Sequence, residues 1–220
     1  MDLTTREFFV DGIKRDRWTW SGDAIQSYLM NYYLRFDTDC VRRTIRQLRG
    51  KDPVTAHVNT IMDYTFYWFK SVLDFYQYTG DIRFVREIYP RMQTLMQYVI
   101  GRLNPEGMAE GKEDDWIFVD WVDFPMHKRG TLCFEQILLC KAFQTMHTWM
   151  GSMSEFSITE CIIRRLSSSS TISYIMANIF GNAVMSRFIL PSSMACMKAL
   201  RLSSQKVGLS FALRSAASFP

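Results

Sequence analysis

The chain has 220 residues, of which 48% are hydrophobic and 15% aromatic, and 26 Lys and Arg against 22 Asp and Glu leave a formal net charge of +4. That length suits one domain with a sizeable core, and no run of eighteen apolar residues marks a membrane-spanning helix. The positive charge is no nucleic-acid signature, because residues 1–146 hold 19 bases against 20 acids while residues 147–220 hold 7 against 2.

In chain order, "DAIQSYLMNYYLRF" places Ile25, Leu29, Tyr32, Tyr33 and Phe36 at helical spacing. "DTDCVRRTIRQLRG" predicts a second helix, with Asp37 or Thr38 as N-cap and Gly50 as stop. "TIMDYTFYWFKSVLDFYQYTGD" predicts a long aromatic helix ending at Gly80, and "IRFVREIYPRMQTLMQYVIGRL" its antiparallel partner. Pro90 is expected to divide that partner into a short helix and a main one. "NPEGMAEGKEDD" reads as a loop, "WIFVDWVDF" has β-like composition, and "TLCFEQILLCKAFQTM" returns to a helix. Helices paired through short connections indicate an all-α, helical-hairpin architecture.

After Met146 the texture changes. Residues 1–146 contain three serines and residues 147–220 contain sixteen, with no Asp and one Tyr among the latter. A natural Ser-rich extension is one reading, but disordered tails are poor in Ile, Phe, Leu and Met, and this one is not. Translation in a shifted frame is the other. Restoring one lost base just after Met146 turns Trp149-Met150-Gly151 into Asp-Gly and forces Glu at Met197-Lys198, whereas the opposite shift forces a stop there. Residues 1–146 are therefore expected to be the folded domain, and residues 147–220 a frameshifted or spurious tail.

The chemistry concentrates in "DGIKRDRWTWSGD", where Asp11, Asp16 and Asp23 alternate with Lys14, Arg15 and Arg17 and with Trp18 and Trp20. Carboxylates bind pairs of hydroxyls, indoles pack on the C–H faces of a sugar ring, and a protonated carboxyl group can donate to a glycosidic oxygen. Crowded carboxylates raise one another's pKa, which can keep one of them protonated. The alternative is a surface ion-pair cluster capping the next helix, with Asp23 as its N-terminal acid. The five cysteines form no CxxC pair, and no metal site, cofactor motif, Ser/His/Asp set or phosphate loop is visible. His57 reads as structural, and His127 has no partner in sequence. "MDLTTREFF" carries no visible signal peptide, so localisation is left open.

The order of these residues resembles the signature of family 78 glycoside hydrolases, the α-L-rhamnosidases, in which a D-x-x-x-R-[DE]-R-x-x-W-x-x-D pattern carries the acids. Asp11, Arg15, Asp16, Arg17, Trp20 and Asp23 match it without a change of spacing. The resemblance extends through the helices above to about Met146 and implies part of an (α/α)6 barrel. It makes Asp16 the general acid, with Asp11 and Asp23 on sugar hydroxyls and Arg15 orienting the acids. A G-D-W-like segment of the family has two counterparts here, and Asp120 with Trp121, leading into the next helix, is preferred as substrate-binding. Trp116 is expected in the core, as are Trp68, Tyr64 and Tyr67.

The implied activity is inverting hydrolysis of terminal α-L-rhamnosides, with a carbohydrate partner, no nucleic acid and no membrane. Inversion needs a base about 6.5–9.5 Å from the acid. In the family that glutamate follows further along the chain than the roughly 200 residues after Asp16 here, so the barrel is expected to be incomplete and inactive alone. Another six-hairpin glycosidase or phosphorylase, or a non-catalytic carbohydrate-binding helical protein, are the alternatives.

Overall fold

The computed structural model describes residues 2–14, 16–112, 115–117 and 130–150. Arg15, Asp120, Trp121, His127 and the Ser-rich stretch from 151 onward lie outside the described residues. Five helices organise the rest: α1 (Ser21–Leu34), α2 (Thr38–Arg49), α3 (Met62–Thr79), α4 (Ile82–Arg102) and α5 (Cys133–Met150). Among the described residues there is no strand, only isolated bridges such as Ile61 with Trp116.

The helix ends follow local chemistry. Asp37 caps α2 by accepting from the Cys40 N–H, and Gly50 ends it at φ 65°. Asp81 caps α4 through the Arg83 and Phe84 N–H groups, and Gly80 ends α3 in the left-handed conformation. The expected break at Pro90 does not occur: α4 runs unbroken across it. Pro90 is exposed, as is Arg86 one turn before it, whose carbonyl loses its usual helical donor. The opposite face buries Phe84, Val85, Ile88, Tyr89, Met92, Leu95, Met96, Val99 and Ile100 along its length. Apolar burial on both sides of the proline outweighs one lost hydrogen bond.

Side-chain pairs fix the helix directions. Asp23 at the start of α1 meets Tyr64 at the start of α3, and Tyr32 near the end of α1 stacks on Tyr78 near the end of α3, centroids 4.4 Å apart. Thus α1 and α3 are parallel. Glu135 at the start of α5 feels the charge of Asp63 at the start of α3, and Trp149 near its end meets Tyr76, centroids 4.8 Å apart, so α5 is parallel to both. Along α2 and α4, Arg42 pairs with Asp81 at 2.7 Å, Arg46 with Glu87 at 2.6 Å, and Arg49 with Thr94 at 2.6 Å. These two run together, antiparallel to α1, α3 and α5.

The core lies where α3 meets its neighbours. Trp68 is fully buried and its indole N–H donates to the Ile45 carbonyl of α2 at 2.9 Å, a core role as expected. At the start of α3, a short 3₁₀ turn (Val58–Thr60) is held by buried His57, whose Nδ1 lies 3.0 Å from the Thr65 hydroxyl and whose Nε2 lies 3.8 Å from Asp115. Arg102 of α4 grips the same Asp115 through both carboxylate oxygens at 2.7 Å. The loop after α4 is thereby tied to the start of α3, so His57 is structural.

Candidate functional site

Three parallel helices gather their N-terminal ends at one end of the molecule, where the fixed partial positive charge of helix starts favours carboxylates. The segment before α1 folds back there as a clasp. The Asp11 N–H donates to the Trp18 carbonyl at 3.0 Å, and the Trp18 N–H donates to Asp11 Oδ1 at 3.1 Å. Inside this clasp Asp16 and Arg17 adopt positive φ values of 44° and 52°, a region that non-glycine residues seldom occupy outside tight turns and functional sites. The Arg17 Nε donates to the Ile13 carbonyl at 3.1 Å. Asp16 is left exposed at the tip and Asp11 half-buried at the base.

Trp20 is the N-cap residue of α1, half-buried, and its ring stands edge-on to Tyr64 with centroids 6.3 Å apart. Its indole N–H is buried with no hydrogen-bond partner, an arrangement that native folds seldom leave without a purpose. Asparagine 59 locks this corner: Asn59 Oδ1 accepts from the Ser21 N–H at 2.9 Å, and its amide donates to the Thr19 carbonyl at 3.0 Å.

Asp23 lies one turn into α1, and the Tyr64 hydroxyl donates to its Oδ2 at 3.4 Å. The residue as a whole is exposed, yet its carboxyl is turned against the Tyr64 side and partly desolvated. That desolvation raises its pKa most. The charge of Asp11 adds to it, the Tyr64 hydroxyl and the helix N–H oppose it, and Asp16 contributes a smaller rise. Three carboxyl groups separated by five and seven positions in sequence therefore form one electrostatic cluster.

Of the residues singled out in the sequence, Asp11, Asp16, Trp20 and Asp23 are brought together, while Arg15, Asp120 and Trp121 lie outside the described residues. One expectation needs revision. Trp116 is 58% exposed rather than in the core, because its backbone, not its indole, joins the fold: its carbonyl accepts from the Met62 N–H at 2.9 Å and its N–H reaches the Thr60 carbonyl at 3.4 Å. Tyr64 is buried as expected, but its hydroxyl reaches the acid cluster. Nothing in the sequence marked it except its place one turn into an aromatic helix. Among the described residues no group of three His, Cys, Asp or Glu side chains is placed to hold a metal ion, and no helix is long and apolar enough to cross a membrane.

Among the described residues, parallel α1, α3 and α5 with α2 and α4 antiparallel to them form an all-α, helical-hairpin domain that carries acids and a tryptophan at one shared N-terminal end. The chain belongs to the bacterial alpha-L-rhamnosidase 6 hairpin glycosidase domain family, whose model matches residues 1–155. A rhamnosidase from Klebsiella oxytoca with rhamnose bound superposes with a TM-score of 0.61 at 24% identity, over 76% of this chain and 34% of that one. A GH78 family rhamnosidase of Bacillus sp. GL1 gives a TM-score of 0.64 at 20% identity, over 81% of this chain and 19% of that one. The chain thus spans about a third of one solved rhamnosidase and a fifth of the other. No curated protein matches.

Proposed function

We propose that this chain carries the acid side of an α-L-rhamnosidase site, which binds a terminal rhamnoside at the shared N-terminal end of α1 and α3. The observation that carries the reading is the single cluster formed by Asp11, Asp16 and Asp23 beside Trp20. Asp16, exposed at the tip of the clasp, is the general acid that protonates the leaving oxygen. Asp11 and Asp23 bind adjacent sugar hydroxyls, Arg15 orients the acids, and the unpartnered indole N–H of Trp20 donates to the sugar while its ring packs on a C–H face. Asp120 and Trp121 belong to the same binding surface. The partner is a carbohydrate.

A second assignment is favoured by one observation. Desolvation, and then the charge of Asp11, raises the Asp23 pKa, which suits this carboxyl to hold a proton. The two assignments differ in which carboxyl keeps its proton longer as the pH rises, read from ¹³C titration of the Asp16 and Asp23 carboxyl carbons.

In the inverting mechanism a water attacks from the face opposite the acid, activated by a carboxylate about 6.5–9.5 Å away. We assign no such base to these 220 residues, and we place the functional domain in residues 1–146 with the Ser-rich stretch outside it. The purified chain is expected to bind L-rhamnose in preference to D-mannose and D-glucose in saturation-transfer NMR, and to release no aryl group from an aryl α-L-rhamnoside. Indifference among the three sugars overturns the substrate assignment, and measurable turnover overturns the missing base.

A further inference from the structure

The tryptophan of the acid cluster occupies a position where helices ordinarily place another kind of residue. Trp20 is the N-cap of α1, in extended backbone (φ −108°, ψ 133°), and makes no side-chain cap hydrogen bond. Ser, Thr, Asp and Asn are preferred there because their short polar side chains accept from the free N–H groups of the first turn. An indole has no such acceptor. In α1 one of those N–H groups is satisfied from elsewhere: the Ser21 N–H donates at 2.9 Å to Asn59 Oδ1, 38 residues along the chain. The other end of the same carboxamide donates to the Thr19 carbonyl at 3.0 Å. Asn59 thus bonds the residues immediately before and after Trp20, and the indole N–H of Trp20 itself keeps no partner.

The bracket is anchored on α3. Asn59 sits in the 3₁₀ turn Val58–Thr60, where the Val58 N–H donates to the Thr65 hydroxyl at 2.9 Å and the Thr60 N–H to the His57 carbonyl at 2.8 Å. Asn59 and Thr60 hold φ values of 55° and 64°, a left-handed region that asparagine tolerates and that is rare for a β-branched threonine. Such conformations persist only where the surrounding structure over-determines them, and here the carboxamide bonds and the anchor on α3 both do so. The same helix supplies Tyr64, whose ring stands edge-on to Trp20, centroids 6.3 Å apart. The start of α3 therefore holds residue 20 twice, its backbone through Asn59 and its ring through Tyr64. Thr19 and Ser21 are buried and Trp20 is half-buried between them, the alternation of extended chain, so the ring projects away from the side that those two fill.

We propose that Asn59 is the positioning residue for Trp20 in the candidate sugar site: by capping α1 from a distance it frees the N-cap position for a tryptophan and fixes the ring beside the acid cluster. This rests on the reading of that site as sugar-binding for its consequence, and on the two hydrogen bonds for its mechanics. A fold that needed only a capped helix would meet the need with a short polar side chain at position 20 and no second residue. Packing on a C–H face and donation from the indole N–H both require the ring in one orientation before the sugar arrives, since ordering it on binding subtracts from affinity. Without the carboxamide, the Thr19 carbonyl and the Ser21 N–H turn to water, the chain rotates at residue 20, and the ring leaves its edge-on place against Tyr64.

The test uses Asn59→Gly, which removes the carboxamide at a position whose backbone suits glycine, so the turn is kept. The full chain is labelled with 5-fluorotryptophan, and the Trp20 and Trp68 signals are assigned by their loss in Trp20→Phe and Trp68→Phe. In Asn59→Gly the Trp20 fluorine signal is expected to move, while the Trp68 signal, from the core, stays in place. L-rhamnose affinity, from isothermal titration, is expected to fall at least tenfold in Asn59→Gly, and Trp20→Ala is expected to cost less than about twofold more in that background. An unmoved Trp20 signal, a Trp68 signal that moves with it, or losses from Asn59→Gly and Trp20→Ala that multiply in full each overturn the proposal. A Trp20 signal that moves alone, with no rhamnose binding to the parent chain, supports the positioning role and overturns the sugar reading alone.

Discussion

The Tyr64 hydroxyl donates to Asp23 Oδ2 at 3.4 Å across 41 residues of sequence, and this contact joins the first turns of two parallel helices at the acid cluster. It is one of the influences that hold the Asp23 carboxyl down against desolvation and the charges of Asp11 and Asp16. Tyr64→Phe is expected to raise the Asp23 pKa further, and Asp11→Asn to lower it. Both shifts are read directly from the Asp23 carboxyl carbon in a ¹³C titration. An acid whose pKa is raised by folding binds protons more tightly in the native state. Stability linked to Asp23 therefore falls as the pH rises from its unfolded value, about 3.9, to its folded one. Unchanged midpoints in both variants would remove Asp11 and Tyr64 from the account of this cluster.

Gly22 makes the same corner sensitive to a single methyl group. A Cβ at this position would lie 2.5 Å from Tyr64 Cε1 and 2.7 Å from Cζ, closer than carbon atoms approach. Alanine is otherwise the better helix former by about 1 kcal/mol. Here the ring must move, so Gly22→Ala is expected to destabilise by about 1–3 kcal/mol in urea unfolding. A stabilised Gly22→Ala would show that Tyr64 has room to yield.

Much of this fold is readable from local chemistry. Asp37 and Asp81 announce helix starts because a short acidic side chain can reach free N–H groups, and Gly80 announces a stop because it enters the left-handed region without strain. The clasp was legible too, since its acids and tryptophans lie within thirteen consecutive residues. Pro90 misled because its effect depends on which face of the helix it occupies. Trp116 misled because its backbone is what the fold uses. The role of Tyr64 was invisible because it depends on Asp23, a partner brought close only when α1 and α3 align.

The centre of the core gives a stability test. Trp68 is fully buried and hydrogen-bonded to Ile45 of the neighbouring helix. Trp68→Ala is expected to cost about 3–5 kcal/mol. Trp68→Phe, which keeps most of the packing but loses the N–H donor, should cost less than half of that. Equal losses for the two variants would place the energy in the hydrogen bond rather than in the packed ring.

Asp81 links two helix pairs by capping α4 and binding Arg42 of α2 at 2.7 Å. Desolvation raises its carboxyl, but the Phe84 N–H and the Arg42 guanidinium outweigh this and hold it below the ordinary range. A depressed acid contributes stability that is present above its unfolded value and lost as the pH falls through its folded one. Asp81→Ala is therefore expected to cost about 0.5–2 kcal/mol near neutrality, and the difference from the parent chain should shrink as the pH falls through the depressed folded value. A difference that persists undiminished in acid would assign the loss to packing instead.

The central claim is that Asp11, Asp16, Trp20 and Asp23 act together on a sugar, and isothermal titration of L-rhamnose into the purified chain addresses it most directly. The account predicts saturable binding that Trp20→Ala and Asp11→Asn each weaken at least tenfold, a loss of about 1.4 kcal/mol or more. Binding with the parent affinity in both variants, or no binding to the parent chain, would contradict it.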